Sequence, residues 1–170
     1  MLWLRQNIFK HFESIAARST FPVITPKLKV VSDQSRTILM LEDETERLVR
    51  FEDVLRSVVP SVNLRHWRTA AGFIDGYCGF ESTPLLICLD HDLFVHSADE
   101  PDPGDGRDVT EFLASQQPCC HVVIHSSNAP AADSMHFTLV DAGWDSERIA
   151  PIGQDWIESY WFPVIKPWLA

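Results

Sequence analysis

The run Leu85-Leu86-Ile87-Cys88-Leu89 passes without a break into Asp90-His91-Asp92-Leu93, and this stretch limits the fold more than any other. A short continuous apolar run bounded by polar residues suits a strand covered on both faces, as in the middle of a parallel sheet. In open α/β sheets, ligands gather at the carboxyl ends of such strands. Asp90, His91 and Asp92 fall at that end.

The flanking sequence repeats the pattern. Thr37-Ile38-Leu39-Met40-Leu41 is a second buried run and ends in Glu42-Asp43-Glu44. A helix is expected over 45–58, with Leu48, Phe51, Val54, Leu55 and Val58 on its inner face and Arg47, Arg50 and Arg56 on its outer face. Pro60 stops it. Another strand follows at 62–67, and Thr69 is placed to cap a short helix to about residue 75, closed by Gly76 and Gly79. The third strand covers 84–89. Asp108-Val109-Thr110-Glu111 has capping-box spacing and predicts a helix from there to 117. His121-Val122-Val123-Ile124-His125 is the fourth strand, leading into Ser126-Ser127-Asn128. Ala132, Met135, Leu139 and Ala142 then mark a helix that Gly143 ends. A fifth strand is expected at 148–152. Asp155-Trp156-Ile157-Glu158 repeats the capping-box spacing before a last helix interrupted at Pro163 and Pro167. Five strands alternating with five helices imply an α/β fold: a doubly wound, five-stranded parallel sheet of flavodoxin type. Right-handed crossovers favour the strand order 2-1-3-4-5.

Composition removes several classes of function. The formal net charge of −10 argues against an extended nucleic-acid surface. No run reaches the ~18 apolar residues of a membrane span. Cys78, Cys88, Cys119 and Cys120 form no Cys-x-x-Cys and no disulfide framework, so they read as small buried hydrophobes in a reducing, cytoplasmic setting. Residues 1–36 read as an N-terminal extension and linker, with an amphipathic helix expected over 3–17, ahead of a domain at 37–170.

With strands 1, 3 and 4 adjacent, Glu42-Asp43, Asp90-His91-Asp92 and His125-Ser126-Ser127-Asn128 converge on one rim. Leu41-Glu42-Asp43-Glu44 after the first strand, with Asp90 ending the third, resembles the receiver domain of two-component response regulators. The resemblance implies that Glu42 and Asp43 are the acid pair that helps hold Mg²⁺ and that Asp90 is the phosphoryl acceptor. It makes Asp92 the residue lending a carbonyl to the metal, and Ser126 or Ser127 the hydroxyl residue after strand four. The lysine that receivers carry after strand five is missing, since that place reads Pro151-Ile152-Gly153-Gln154. Asp90-His91-Asp92-Leu93, Gly106-x-Asp108-Val109 and His125-Ser126-x-Asn128 together are similar to a narrower group, the cyclic-phosphate-processing receiver domains, over about residues 37–165. That similarity implies binding or opening of a cyclic phosphate on a nucleotide or an RNA end.

The residues support such chemistry independently. Ring opening needs a base for water and an acid for the leaving oxygen, and His91 with His125 supplies two groups that titrate in range. Glu42, Asp43 and Asp90 are suited to Mg²⁺ or Mn²⁺, which offsets the repulsion between acids and phosphate. Ser126 and Asn128 are candidate donors to phosphate oxygens. Asp108, at a helix start, is placed to orient a histidine or a metal-bound water. The competing expectation is a non-catalytic, receiver-like signalling module with Asp90 as phosphoacceptor.

Overall fold

The computed structural model describes residues 36–169, apart from His96 and Ala98. The 1–36 extension, with the helix expected over 3–17, lies outside the described residues except for Arg36. Five strands form one parallel sheet in the order β2-β1-β3-β4-β5, as expected. They are β1 (Thr37–Leu41), β2 (Asn63–Trp67), β3 (Leu86–Leu89), β4 (His121–His125) and β5 (Ser146–Ile149). The helices between them are α1 (Thr45–Val58), α2 (Ala70–Cys78), α3 (Gly106–Ala114) and α4 (Ala129–Asp141).

Every residue of β1, β3 and β4 is buried, which explains their unbroken apolar runs. Their side chains alternate between two cores. On one face Ile38, Met40, Cys88 and Val123 meet Phe51 and Leu55 of α1, together with Trp156, Ile157 and Trp161 from the C-terminal segment. On the other face Leu39, Leu41, Leu89 and Ile124 meet Phe73 of α2, Leu113 of α3 and Met135 of α4. Trp144 packs on this second side and donates its indole N–H to the Leu113 carbonyl at 3.0 Å.

Several local expectations need correction. Val58 lies half exposed at the end of α1, so the inner face stops at Leu55. Helix α2 runs through Gly76 to Cys78. Gly76 tolerates this because a Cβ there would strike the Trp67 indole, so the bare helix surface seats that ring. The N-cap of α3 is Asp105, which accepts from Arg107 N and Asp108 N, while Asp108 accepts from Asp105 N at 2.9 Å. The box therefore spans 105–108, three residues before the expected one. Strand β5 starts at Ser146, two residues early, because an edge strand needs no apolar run. No capping box forms at Asp155, whose carboxylate accepts from Ser159 Oγ at 2.6 Å. The last helix is a π turn (Ile157–Trp161), an α turn, α5 (Phe162–Ile165), and a 3₁₀ turn (Lys166–Leu169). The prolines fall inside the α and 3₁₀ turns. Of the four cysteines only Cys88 is fully buried, and burial pushes its thiol up to about 12; Cys78 and Cys119 are exposed.

Helix α3 starts hard against the end of β3. Gly106 N donates to the His91 carbonyl at 3.0 Å. A Cβ at Gly106 would meet the Asp90 carbonyl oxygen, and would lie 2.6 Å from Met135 Cε and 2.9 Å from His91 Cα. Gly106→Ala is therefore expected to destabilise the fold by about 1–3 kcal/mol through overpacking, as read from urea unfolding.

Candidate functional site

The sheet register builds the site. Leu41 pairs with Leu89, and Leu89 pairs with Ile124. Glu42, Asp90 and His125 are the next residues on three adjacent strands, so they stand on one rung. They share the alternation of Met40, Cys88 and Val123, which places them on the α1 face. Asp90 is 2% exposed, and Glu42 and His125 are fully buried. One ligand atom from each of the three lies within 4.8 Å of the other two.

The contacts of this rung are specific. His125 Nε2 faces Glu42 Oε2 at 3.3 Å. Its ring lies over Trp156, with centroids 5.8 Å apart, and meets Phe51 edge-on at 5.5 Å. Glu42 Oε1 accepts from Glu44 N at 2.8 Å, and Asp90 Oδ1 from His91 N at 2.6 Å. Arg47 reaches back from the first turn of α1, so that its Nη2 is 3.0 Å from Glu42 Oε1 and 2.9 Å from Asp90 Oδ2. It does not belong with Arg56 on a solvated face. The expected outer stripe is broken at its first member because the buried carboxylates draw that arginine inward.

The two carboxyls respond in opposite directions. Burial pushes Asp90 up to about 6, helped by the charge of Glu42, and this outweighs His125, Arg47 and the His91 N–H. Burial also works to raise Glu42. There the hydrogen bond and charge of His125, followed by Arg47 and the Glu44 N–H, prevail and hold it below its usual range.

The other predicted residues gather on the opposite face. His91 follows the alternation of Leu89, so its ring turns toward the start of α3. Its Nδ1 lies 2.7 Å from Asp92 Oδ1, and its Nε2 lies 3.6 Å from Asp105 Oδ2. Asn128 donates from Nδ2 to Asp92 Oδ1 at 3.4 Å and caps α4 through Oδ1. Ser126 Oγ accepts from Asn128 N. Asp43 Oδ2 accepts from Phe94 N at 2.9 Å. The expected pairing of His91 with His125 is therefore not assembled, because adjacent positions on a strand point to opposite faces. Asp43 and Asp92 lie outside the three-residue cluster. The Asp108 carboxylate closes the α3 capping box, and Asp105 takes the place beside His91 that was expected for it. The sequence reasoning missed Arg47 and Asp105. Arg47 sits one helical turn from Asp43, a spacing that could have marked it as facing the rim.

Two further histidines, His121 and His136, are held by local partners. His121 lies between Asp145 and Glu147 at 2.9 and 3.0 Å and stacks on Trp168. His136 bonds Ser146.

A sequence profile described as "Cyclic-phosphate processing Receiver domain" matches residues 28–141. The chain belongs to this family. Its fold is similar to a phosphorylated cyanobacterial phytochrome response regulator, RcpA, with a TM-score of 0.60 at 18% identity, covering 79% of this chain and 94% of that one. It is also similar to the signal receiver domain of a Luxo repressor protein from Vibrio parahaemolyticus, with a TM-score of 0.55 at 19% identity, covering 78% and 92%. A search of curated proteins returned no match. Among the described residues, no helix is long and apolar enough to cross a membrane.

The raised carboxyl makes a sign-specific prediction. The native Asp90 holds its proton up to about 6, whereas the unfolded carboxyl releases it near 3.8. Between these values the native state binds more protons, so stability falls as pH rises through the window. The penalty is absent below the lower value and complete above the upper one. Asp90→Asn is expected to stabilise the metal-free protein by about 1–3 kcal/mol above about pH 7. The gain should vanish in acid. Thermal melts of both proteins across pH, in chelator, measure the difference.

Proposed function

We propose that this protein binds a cyclic phosphate, on a small nucleotide or an RNA end, at the Glu42–Asp90–His125 rung and opens it with the help of Mg²⁺ or Mn²⁺. The observation that carries this reading is the approach of two buried carboxylates and an imidazole to within 4.8 Å of one another at the carboxyl rim, in a chain whose family is described by cyclic-phosphate processing.

The donor set suits a divalent cation. Two carboxylate oxygens and one ring nitrogen match a hard or borderline ion. Burial is costly for the Asp90 carboxylate even with Arg47 beside it, as its raised pKa records, and a divalent charge would offset that cost. Glu42, Asp90 and His125 would hold the ion, which would polarise the phosphorus–oxygen bonds and make a bound water more acidic. The chain's own contribution is positioning. Glu42 fixes the tilt of the His125 ring, and Trp156 and Phe51 pack against it and exclude water. The His91 N–H fixes the rotation of the Asp90 carboxylate. His91 and Asp92 stand on the opposite face, so the reading assigns them no proton transfer.

A second reading is favoured by the place of Asp90 at the end of β3. In it Asp90 accepts a phosphoryl group and the domain signals through protein contacts.

Two measurements separate the readings. Wild-type protein is expected to bind Mg²⁺ by calorimetry, and Asp90→Asn and His125→Ala to lose that binding. Hydrolysis of 2′,3′-cyclic nucleotides should fall about 100-fold or more in both variants. A phosphoryl adduct on Asp90 after treatment with acetyl phosphate, detected by intact mass, with no cyclic-nucleotide turnover, would establish the signalling reading instead.

A further inference from the structure

Four acidic side chains at the rim surround one arginine. Besides Glu42 and Asp90, Arg47 meets Glu44 through Nε at 2.5 Å, and the charge of Asp43 acts on it as well. Among the described residues, no other lysine or arginine forms an ion pair with Asp90 or Glu42. Arg47 is also the layer between those carboxylates and solvent. Its side chain is 19% exposed, against 0% for Glu42 and 3% for Asp90. On its outer side lies a cleft of about 550 Å³, bordered by the acids Glu44 and Glu46 as well as by Arg47, Arg50, Gly153 and Gln154.

This arrangement creates a conflict of charge. A divalent cation held by Glu42 and Asp90 would neutralise the carboxylates that the guanidinium now neutralises. Two cations on the same oxygens at contact distance repel strongly in a buried site. The arginine can yield, because its long stem is flexible and the cleft is open beside it. Turned outward into the cleft, its planar fork would match phosphate oxygens in bidentate fashion and would itself supply the cation, since Arg50 is held by both oxygens of Glu158.

We infer that Arg47 is a movable counter-ion, seated on Asp90 and Glu42 when no metal is bound and turned to the phosphate of an incoming ligand when a divalent cation takes its place. Both the cation and the nature of that ligand rest on the function proposed above; the exchange of Arg47 does not depend on hydrolysis. Arg47 is here a positioning residue that couples cation to anion. Coupling is reciprocal, so phosphate should strengthen metal binding as much as metal strengthens phosphate binding.

The test is a calorimetric Mg²⁺ titration of wild type, Arg47→Ala and Arg47→Lys, each with and without inorganic phosphate. In wild type, phosphate should raise the Mg²⁺ affinity about tenfold. Arg47→Ala should bind Mg²⁺ alone about tenfold more tightly than wild type, and phosphate should add almost nothing. Arg47→Lys retains the charge without the fork, and should show weaker coupling than wild type. Unchanged or weaker Mg²⁺ binding in Arg47→Ala, or equal phosphate coupling in all three proteins, overturns the proposal. If Arg47→Ala does not fold, Arg47→Lys decides: coupling equal to wild type overturns the proposal, and reduced coupling upholds it. No turnover enters these titrations. A protein that couples Mg²⁺ to phosphate but opens no cyclic nucleotide therefore keeps the Arg47 exchange and loses the hydrolytic reading.

Discussion

The register between β1, β3 and β4 is the constraint on which everything else rests. A slip of one residue in any of these pairings would send a carboxylate or the His125 ring to the other face. The register is well defined because each strand is buried on both sides and each side chain meets a distinct core. The three acid and imidazole groups are thus brought together by apolar pairing below them, and they meet despite their own electrostatics. The strain of that meeting appears in Asp90, whose carboxyl resists ionisation.

The two faces of the rim have separated into two polar groups with different characters. On the α1 side the groups are deeply buried and two of them, Glu42 and Asp90, share the Arg47 guanidinium. On the side of α3 and α4, His91, Asp92, Asp105 and Asn128 bond mainly to one another and to helix starts. The second group explains why the long acidic loop after β3 can end in a firm helix. Its acids cap and orient α3, and Gly106 lets that helix begin almost in contact with the strand end. The C-terminal segment does comparable work beneath the first group, where Trp156 and Trp161 back the rung with aromatic surface.

Much of this was legible in the residues. The continuous apolar runs of β1, β3 and β4 identified the central strands, and the alternation with helical faces fixed the strand order. Edge elements were harder to read. Ser146 and Glu147 pair with β4 while looking like loop, because one-sided burial leaves no apolar signature. Asp105 went unrecognised as a cap because Asp108 and Glu111 offered the same spacing one turn later. The division of Asp90 from His91 follows from the period of two along a strand. It is obscured in a sequence where both residues simply sit at the end of the same run. Arg47 was hidden for a different reason: amphipathic patterning sorts residues by polarity, and cannot tell an arginine facing solvent from one facing buried acids.

The indole of Trp156 is packed against the His125 ring in the interior. A charged imidazole withdraws excited-state electron density from a neighbouring indole, whereas a neutral one scarcely does. A change in the charge on His125 is therefore expected to alter the emission of Trp156, alongside that of Trp168, which stacks on His121.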